Sequence, residues 1–275
     1  MKALLYDMGG VLVRTDHEAV FRHWSNAAGE PIANLRRRWR AREAYRAFEV
    51  GSIDFEEFAG SLSRQLQITL SLEDWRDGWN QLLAGTFDDV LAEAKRIGDA
   101  IPQCIFTNTN PVHEACWRQL YGHRLTAFRH IYVSSTIGLR KPNAKAYRHV
   151  ADDMGFACRE ITFLDDNADN IAGAEAVGMQ TVHVTHPAVA ERFLASASTR
   201  RRSAPSRRAR GLPTAMAASA TPRSASAATP YSSRTRIRTS TFTARNPSAE
   251  PTSLSICKWT MQTPQPSGSW RPVRK

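Results

Sequence analysis

Four short blocks hold the residues of this chain whose types and placement could do chemistry together: LLYDMGG with Asp7, IFTNTN with Thr107 and Asn108, RKP with Lys141, and FLDDNADN with Asp165, Asp166, Asp169 and Asn170. A carboxylate such as Asp7 can attack phosphorus and carry the phosphoryl group as an aspartyl-phosphate. A hydroxyl and free backbone N–H groups, as at Thr107 and Asn108, can hold phosphate oxygens. A lysine held by a turn can offset the charge that develops on a transferring phosphoryl group. The adjacent carboxylates of Asp165 and Asp166 repel one another unless donors or a cation balance them. Mg²⁺ fits there, since it takes one or two protein carboxylates and completes its shell with water and phosphate oxygens. Taken singly, each block has a bland reading: a turn aspartate, a helix cap, a surface lysine. Together they point to Mg²⁺-dependent phosphoryl transfer.

The elements that must position these residues are short apolar runs at 3–6, 104–106, 131–133, 161–164 and 181–184. Helical spacing over 111–121, 143–154 and 168–178 alternates with the later runs, and Gly178 suits the end of the last helix. Strands of this kind alternating with helices predict an α/β fold, a Rossmann-like three-layer core around a parallel sheet. In such sheets ligands bind beyond the carboxyl ends of the strands, where Asp7, Thr107 and Asp165 fall. Gly9 and Gly10 would let the chain turn sharply there and bring carbonyls close to a metal or phosphate.

Residues 16–87 break the alternation, with about four helical patterns and no convincing strand. Phe55, Phe58, Leu62 and Leu66 share one helical face behind an Asp54–Glu57 capping box. Ser71 and Asp74 open a further helix with Trp75, Trp79 and Leu82 on one face. The segment reads as an all-helical cap inserted into a core made of residues 1–15 and 88–195. Its run Arg36–Arg37–Arg38–Trp39–Arg40 reads as a solvated helix face rather than a nucleic-acid patch, since Glu43 and Glu49 follow closely. His183 and His186 read as a strand and a loop residue, not as metal ligands.

The net charge of +11 is unevenly spread: residues 196–275 hold 15 Lys or Arg against Glu250 alone, leaving 22 basic and 25 acidic residues before them. Ser, Ala, Thr, Pro and Arg supply 60 of those last 80 residues, a composition that predicts a disordered basic tail. Such a tail would attract nucleic acid through phosphate neutralisation. Alternatively, the abrupt shift marks out-of-frame sequence, the reading composition favours. The N-terminus meets a charge too early for a signal peptide, and no apolar run reaches the length of a membrane helix. The three cysteines of the core, Cys104, Cys116 and Cys158, form no CxxC pair, so a cytoplasmic protein with reduced thiols is expected.

Over residues 2–195 the chain resembles the haloacid dehalogenase superfamily, most of whose members are phosphatases. LLYDMGGVLV, IFTNTN, the lysine of RKP and FLDDNADN resemble its motifs I to IV, and the helical insert resembles a C1-type cap. TNTN, GLRKPNAKAYRHV and DDNADNIAGAEAVGM further resemble a bacterial subgroup of sugar-phosphate phosphatases that includes an α-glucose-1-phosphate phosphatase. The resemblance implies Asp7 as nucleophile, with Asp166, Asp7 and the Gly9 carbonyl on Mg²⁺. It implies Thr107 and the Asn108 backbone on phosphate, Lys141 holding the phosphoryl group and Asp7 together, and Asp165 and Asn170 supporting the metal shell. EVGSIDFEEF, with Glu49, Gly51 and Ile53, resembles a cap loop that reaches substrate.

One departure stands out. Most phosphatases of the superfamily carry a general acid and base two residues after the nucleophile, where this chain has Gly9, though the sugar-phosphate subgroup shares the glycine. Loss of a positioned acid is worth about 10²–10⁴ in rate. Asp16, at the cap hinge, reads as a helix cap before it reads as a substitute acid. Dehalogenases of the superfamily also lack the second aspartate and need no Mg²⁺, but their fourth motif is poorer in carboxylates. Asp165, Asp166 and Asp169 therefore favour phosphate. The expected activity is hydrolysis of a small phosphorylated metabolite, a sugar phosphate; the alternatives are a haloacid dehalogenase-like hydrolase, or a catalytically impaired binding protein whose tail recruits nucleic acid.

Overall fold

The computed structural model describes residues 1–202. The chain opens with β1 (Ala3–Tyr6) and a short β2 (Val13–Thr15). It then runs through α1 (His17–Ala28), α2 (Ile32–Arg38), α3 (Glu43–Glu49), α4 (Phe55–Leu66) and α5 (Leu72–Asn80), returning through β3 (Leu83–Thr86). From there it alternates through α6 (Asp88–Ile97), β4 (Gln103–Thr107), α7 (Pro111–Tyr121), β5 (His130–Val133), the single turn α8 (Ser134–Ile137) and α9 (Ala144–Met154). It finishes with β6 (Ile161–Asp165), α10 (Ala168–Ala176), β7 (Gln180–His183) and α11 (Pro187–Arg202).

Five strands form one parallel sheet in the order β5–β4–β1–β6–β7. The α/β expectation stands, and the physical reason is visible in β1. Its residues alternate between two layers of helices: Leu4 and Tyr6 pack with Val90, Ala94, Trp117 and Leu194, whereas Ala3 and Leu5 pack with Tyr147, Val150, Ile171 and Ala174. A strand covered on both faces has to be apolar throughout. The buried Tyr6 hydroxyl donates to Gln103 Oε1 at 2.7 Å, so the core leaves it satisfied. Because β1 lies between β4 and β6, the chain leaves the sheet in opposite directions on its two sides. The carboxyl ends of these three strands therefore open onto one crevice.

The cap has its own core. Trp24, Phe58, Leu62, Leu66, Trp75 and Trp79 are buried against one another, with Trp24 and Trp79 stacked at 5.9 Å between centroids. Three of its five helices start where the sequence signals them. Asp16 caps α1 by accepting from Ala19 N, Asp54 and Glu57 form a reciprocal capping box on α4, and Ser71 caps α5 through Asp74 N. Gly78 sits where any Cβ would collide with the Trp24 indole, which accounts for a glycine inside a helix.

Three expectations need correction. The cap region contains five helices rather than about four, the extra ones being short. It also contains a strand: β3 pairs antiparallel with β2, with an irregular register between Val13 and Thr15. Gly85 has φ +114° within β3, and few residues of either strand are buried, so the pair lacks the apolar alternation that announces a strand. Finally, regular structure does not stop at 195. α11 continues to Arg202, with Ala190 and Leu194 buried in the core shared with α6 and Ala197 buried further along. Its Ala- and Ser-rich stretch reads as low complexity, yet alanine is the strongest helix former and small enough to pack closely. The expectations of disorder, nucleic-acid attraction and out-of-frame sequence for the rest of the tail lie outside the described residues. Among those described, no helix is long and apolar enough to cross a membrane.

Candidate functional site

At the centre of the crevice a lysine ammonium lies between two carboxylates. Lys141 Nζ is 2.8 Å from Asp7 Oδ1 and 2.7 Å from Asp165 Oδ2, and the side chain is wholly buried. The rings of Phe106 and Phe163 face it, with centroids at 5.4 and 5.2 Å. Burial alone would pull the lysine pKa down; Asp7 and Asp165 outweigh it and raise it, so the ammonium stays charged. Its backbone is held as tightly. The Asn108 side chain accepts from Lys141 N at 2.9 Å and donates to Lys141 O at 3.0 Å, a two-point grip that the sequence does not disclose.

Asp165, at the end of β6, has no idle oxygen. Oδ1 accepts from Asn167 N at 2.8 Å and Asn170 Nδ2 at 3.1 Å; Oδ2 accepts from Asn170 Nδ2 at 3.0 Å and from Lys141. Asp7, after β1, accepts from Met8 N at 2.7 Å through the oxygen that meets Lys141. Thr107 is buried at the end of β4 and lines the same cavity as Asp7 and Asn108. Asp166 is exposed, and its carboxylate lies against Gly10, where φ is +72° and any Cβ would collide with it. Gly9 is less constrained: a Cβ there would meet only Thr15 Cγ2 at 3.5 Å.

The carboxylates of Asp7, Asp165 and Asp166 each bring an oxygen within 4.8 Å of the others. One ammonium among three carboxylates leaves an excess of negative charge. Burial pushes Asp7 up to about 7 despite Lys141, with Asp165 and Asp166 pushing further; Asp166 is raised by partial desolvation of its carboxyl and by the Asp165 charge, although the residue as a whole is exposed. This donor set fits a hard divalent cation. With Asp165 saturated by N–H donors, Asp7 and Asp166 are the carboxylates with capacity to hold one.

A cavity of about 110 Å³ opens beside Asp7, walled on the cap side by Tyr45 and Glu49. Glu49 ends α3 and is buried; Arg140 Nε donates to its Oε2 at 2.8 Å, tying the cap to the residue before Lys141. Burial raises the Glu49 carboxyl above its ordinary value against the pull of Arg140 and Tyr45. Ser134 Oγ donates to Glu49 O at 2.6 Å and accepts from Thr109 N at 2.9 Å, joining the cap loop to the loop after β4. The loop comes close at Gly51, where φ is +71° and a Cβ would lie 2.5 Å from Ser135 O. Ile53 does not line this cavity: it packs against the cap core.

Two residues of the site have no sequence signal. Arg140 is one. The other is His113, which lines the cavity from α7, stacks on Trp79 at 4.8 Å, and bonds Trp79 O through Nε2 at 2.9 Å and Asn110 Nδ2 through Nδ1 at 3.1 Å. Burial depresses its pKa to about 4, so it is neutral with its proton on Nε2. Asp16 is held by Ala19 N and Arg22 and lies outside the cavity lining. His183 sits in β7 and touches Asp166 O, and His186 falls in the loop before α11.

A sequence profile of haloacid dehalogenase-like hydrolases matches residues 1–178. The chain belongs to that family. The sesquiterpene phosphatase astK of Aspergillus oryzae is 28% identical to it over 187 residues, 67% of this chain and 90% of that enzyme. Phosphatase MT3486 of Mycobacterium tuberculosis is 27% identical over 191 residues, 66% of this chain and 85% of that protein. A 57-residue stretch is 37% identical to the drimenol cyclase drtB of Aspergillus calidoustus, of which this chain spans 11%. The same haloacid dehalogenase fold is seen in the family enzyme bt-2542 of Bacteroides thetaiotaomicron, solved with magnesium and inorganic phosphate. It superposes with a TM-score of 0.58 at 22% identity, over 66% of this chain and 93% of that one.

Proposed function

We propose that this hydrolase is a Mg²⁺-dependent phosphomonoester phosphatase that works through an aspartyl-phosphate on Asp7. The observation that carries the reading is the buried Asp7–Lys141–Asp165 array with Asp166 beside it. Asp7 attacks phosphorus in line while Lys141 holds the carboxylate in place and offsets charge on the phosphoryl oxygens. Thr107 and the Asn108 backbone hold those oxygens, and Asp165 and Asn170 fix the lysine and the loop after β6. Mg²⁺, held by Asp7, Asp166 and the Gly9 carbonyl, would supply the remaining positive charge. The relatives named as phosphatases support this reading over dehalogenation, as does the number of carboxylates. A cytoplasmic setting belongs to the proposal and draws on the free thiols of Cys104 and Cys158.

The substrate is a small phosphorylated metabolite. Motif resemblance supports a sugar phosphate, with Glu49 at the cap loop binding it. A second reading is favoured by the cavity wall, where Met8, Val13, Leu82, Leu83 and Trp117 are apolar, and by the likeness to a sesquiterpene phosphatase. On that reading the leaving group is a hydrocarbon alcohol.

Phosphate release from sugar phosphates and from prenyl phosphates, with Mg²⁺ and with EDTA, tests both. Turnover that stops with EDTA and falls to background in Asp7→Asn is expected, and the better series names the leaving group. EDTA-resistant chloride release from a 2-haloacid, without phosphate release, would replace the phosphatase reading by dehalogenation.

A further inference from the structure

Expelling an alkoxide from phosphorus needs a proton, and the cavity contains few groups that could give one. Its titratable lining residues are Asp7, Tyr45, Glu49 and His113. Asp7 is the nucleophile. His113 has both ring nitrogens engaged, at Trp79 O and Asn110 Nδ2, and is neutral. The half-buried Tyr45 phenol is pushed far up by desolvation and the nearby Glu49, too weak an acid for the task. Gly9 carries no side chain, and Asp16 is fixed as a helix cap outside the cavity.

We propose that Glu49, brought in by the cap, is the general acid that protonates the leaving-group oxygen and the general base of the second step. The inference rests on the phosphatase reading. In the first step an Asp7 oxygen bonds to phosphorus, the bond from phosphorus to the leaving oxygen breaks, and that oxygen takes the proton of the Glu49 carboxyl. In the second, water attacks phosphorus and gives a proton back to Glu49 while the bond from phosphorus to Asp7 breaks. Phosphate leaves and both carboxyls return to their starting states. The surroundings of Glu49 suit the cycle. Burial favours its protonated form, while Arg140 at Oε2, the Tyr45 hydroxyl and the nearby Lys141 charge stabilise the carboxylate left behind. Oε1 is the oxygen that Arg140 does not engage.

The test compares leaving groups in the full-length protein. p-Nitrophenolate departs without a proton, so Glu49→Gln should release about one equivalent of nitrophenol per enzyme in a burst at close to the wild-type rate, then turn over slowly. With an alkyl phosphate that the wild-type protein hydrolyses, the same variant should lose roughly 10²–10³ in its first step. Glu49→Asp, which keeps a carboxyl on a shorter stem, should recover part of that loss. The intact burst also reports a folded site. Equal slowing of both first steps, or a change in neither, overturns the proposal. Absence of Asp7-dependent turnover in the wild-type protein would instead remove the phosphatase reading on which it rests.

Discussion

The two sides of the cavity are built on opposite principles. On the core side, charges are held by charges and N–H donors: Lys141 between Asp7 and Asp165, Asp165 by four donor contacts, Asn108 on the Lys141 backbone. On the cap side, position comes from aromatic packing, with Trp24, Trp75, Trp79 and Phe58 interlocked and Glu49 as the one carboxylate that reaches the cavity. Asp7, Lys141 and Asp165 are therefore held by contacts within the core, whereas Glu49 depends on the cap and on its ties to Arg140 and Ser134.

The largest effect should follow from breaking the charged side. Lys141→Met leaves Asp7 and Asp165 buried without their cation, and removing one partner of such a pair is worth about 3–5 kcal/mol. Urea unfolding should show that loss, and added Mg²⁺ should recover part of it. A variant as stable as the parent would mean that the core side is held by packing after all. The seam between the two sides should respond to acid. Having a folded-state pKa depressed to about 4 from 6.5, His113 contributes stability above pH 6.5 that is lost as pH falls toward 4, because the unfolded chain takes up the proton first. The full swing is on the order of 3 kcal/mol. Thermal unfolding of His113→Gln should be flatter than that of the parent across this window; parallel curves would remove His113 from the account. The smallest effect belongs to the cap alone. Asp54→Ala removes the α4 capping box and should cost about 1 kcal/mol in denaturant stability, with phosphate turnover unchanged.

The same contrast governs how much was legible in the sequence. The parallel sheet could be read because its strands carry short apolar runs, and β1, β4 and β6 end at residues of the crevice, so fold and candidate chemistry share one signal. The capping residues Asp16, Asp54 and Ser71 could be read because a cap is a local matter of three or four positions. The contacts that assemble the site were out of reach. Arg140 and Glu49 are 91 residues apart, Asn108 and Lys141 33 apart, and no periodicity joins either pair. His113 looks like any polar residue in the first turn of a helix until Trp79 is placed over it. β2 and β3 escaped because a ribbon of three and four residues with little buried on either strand lacks a clean alternation. The end of α11 is hidden in the sequence because alanine and serine carry no apolar pattern, although they pack well.

The indole cluster has an optical consequence. Of the five tryptophans among the described residues, Trp24, Trp39, Trp75 and Trp79 belong to the cap and only Trp117 to the core. Within the described residues, near-ultraviolet excitation therefore falls mainly on the cap; Trp259 and Trp270 lie outside them. Trp79 lies face to face with the imidazole of His113 across the seam, so displacement of the cap separates a fluorophore from a neighbouring ring. The emission of Trp79 is thereby tied to the contact between the cap and the first turn of α7.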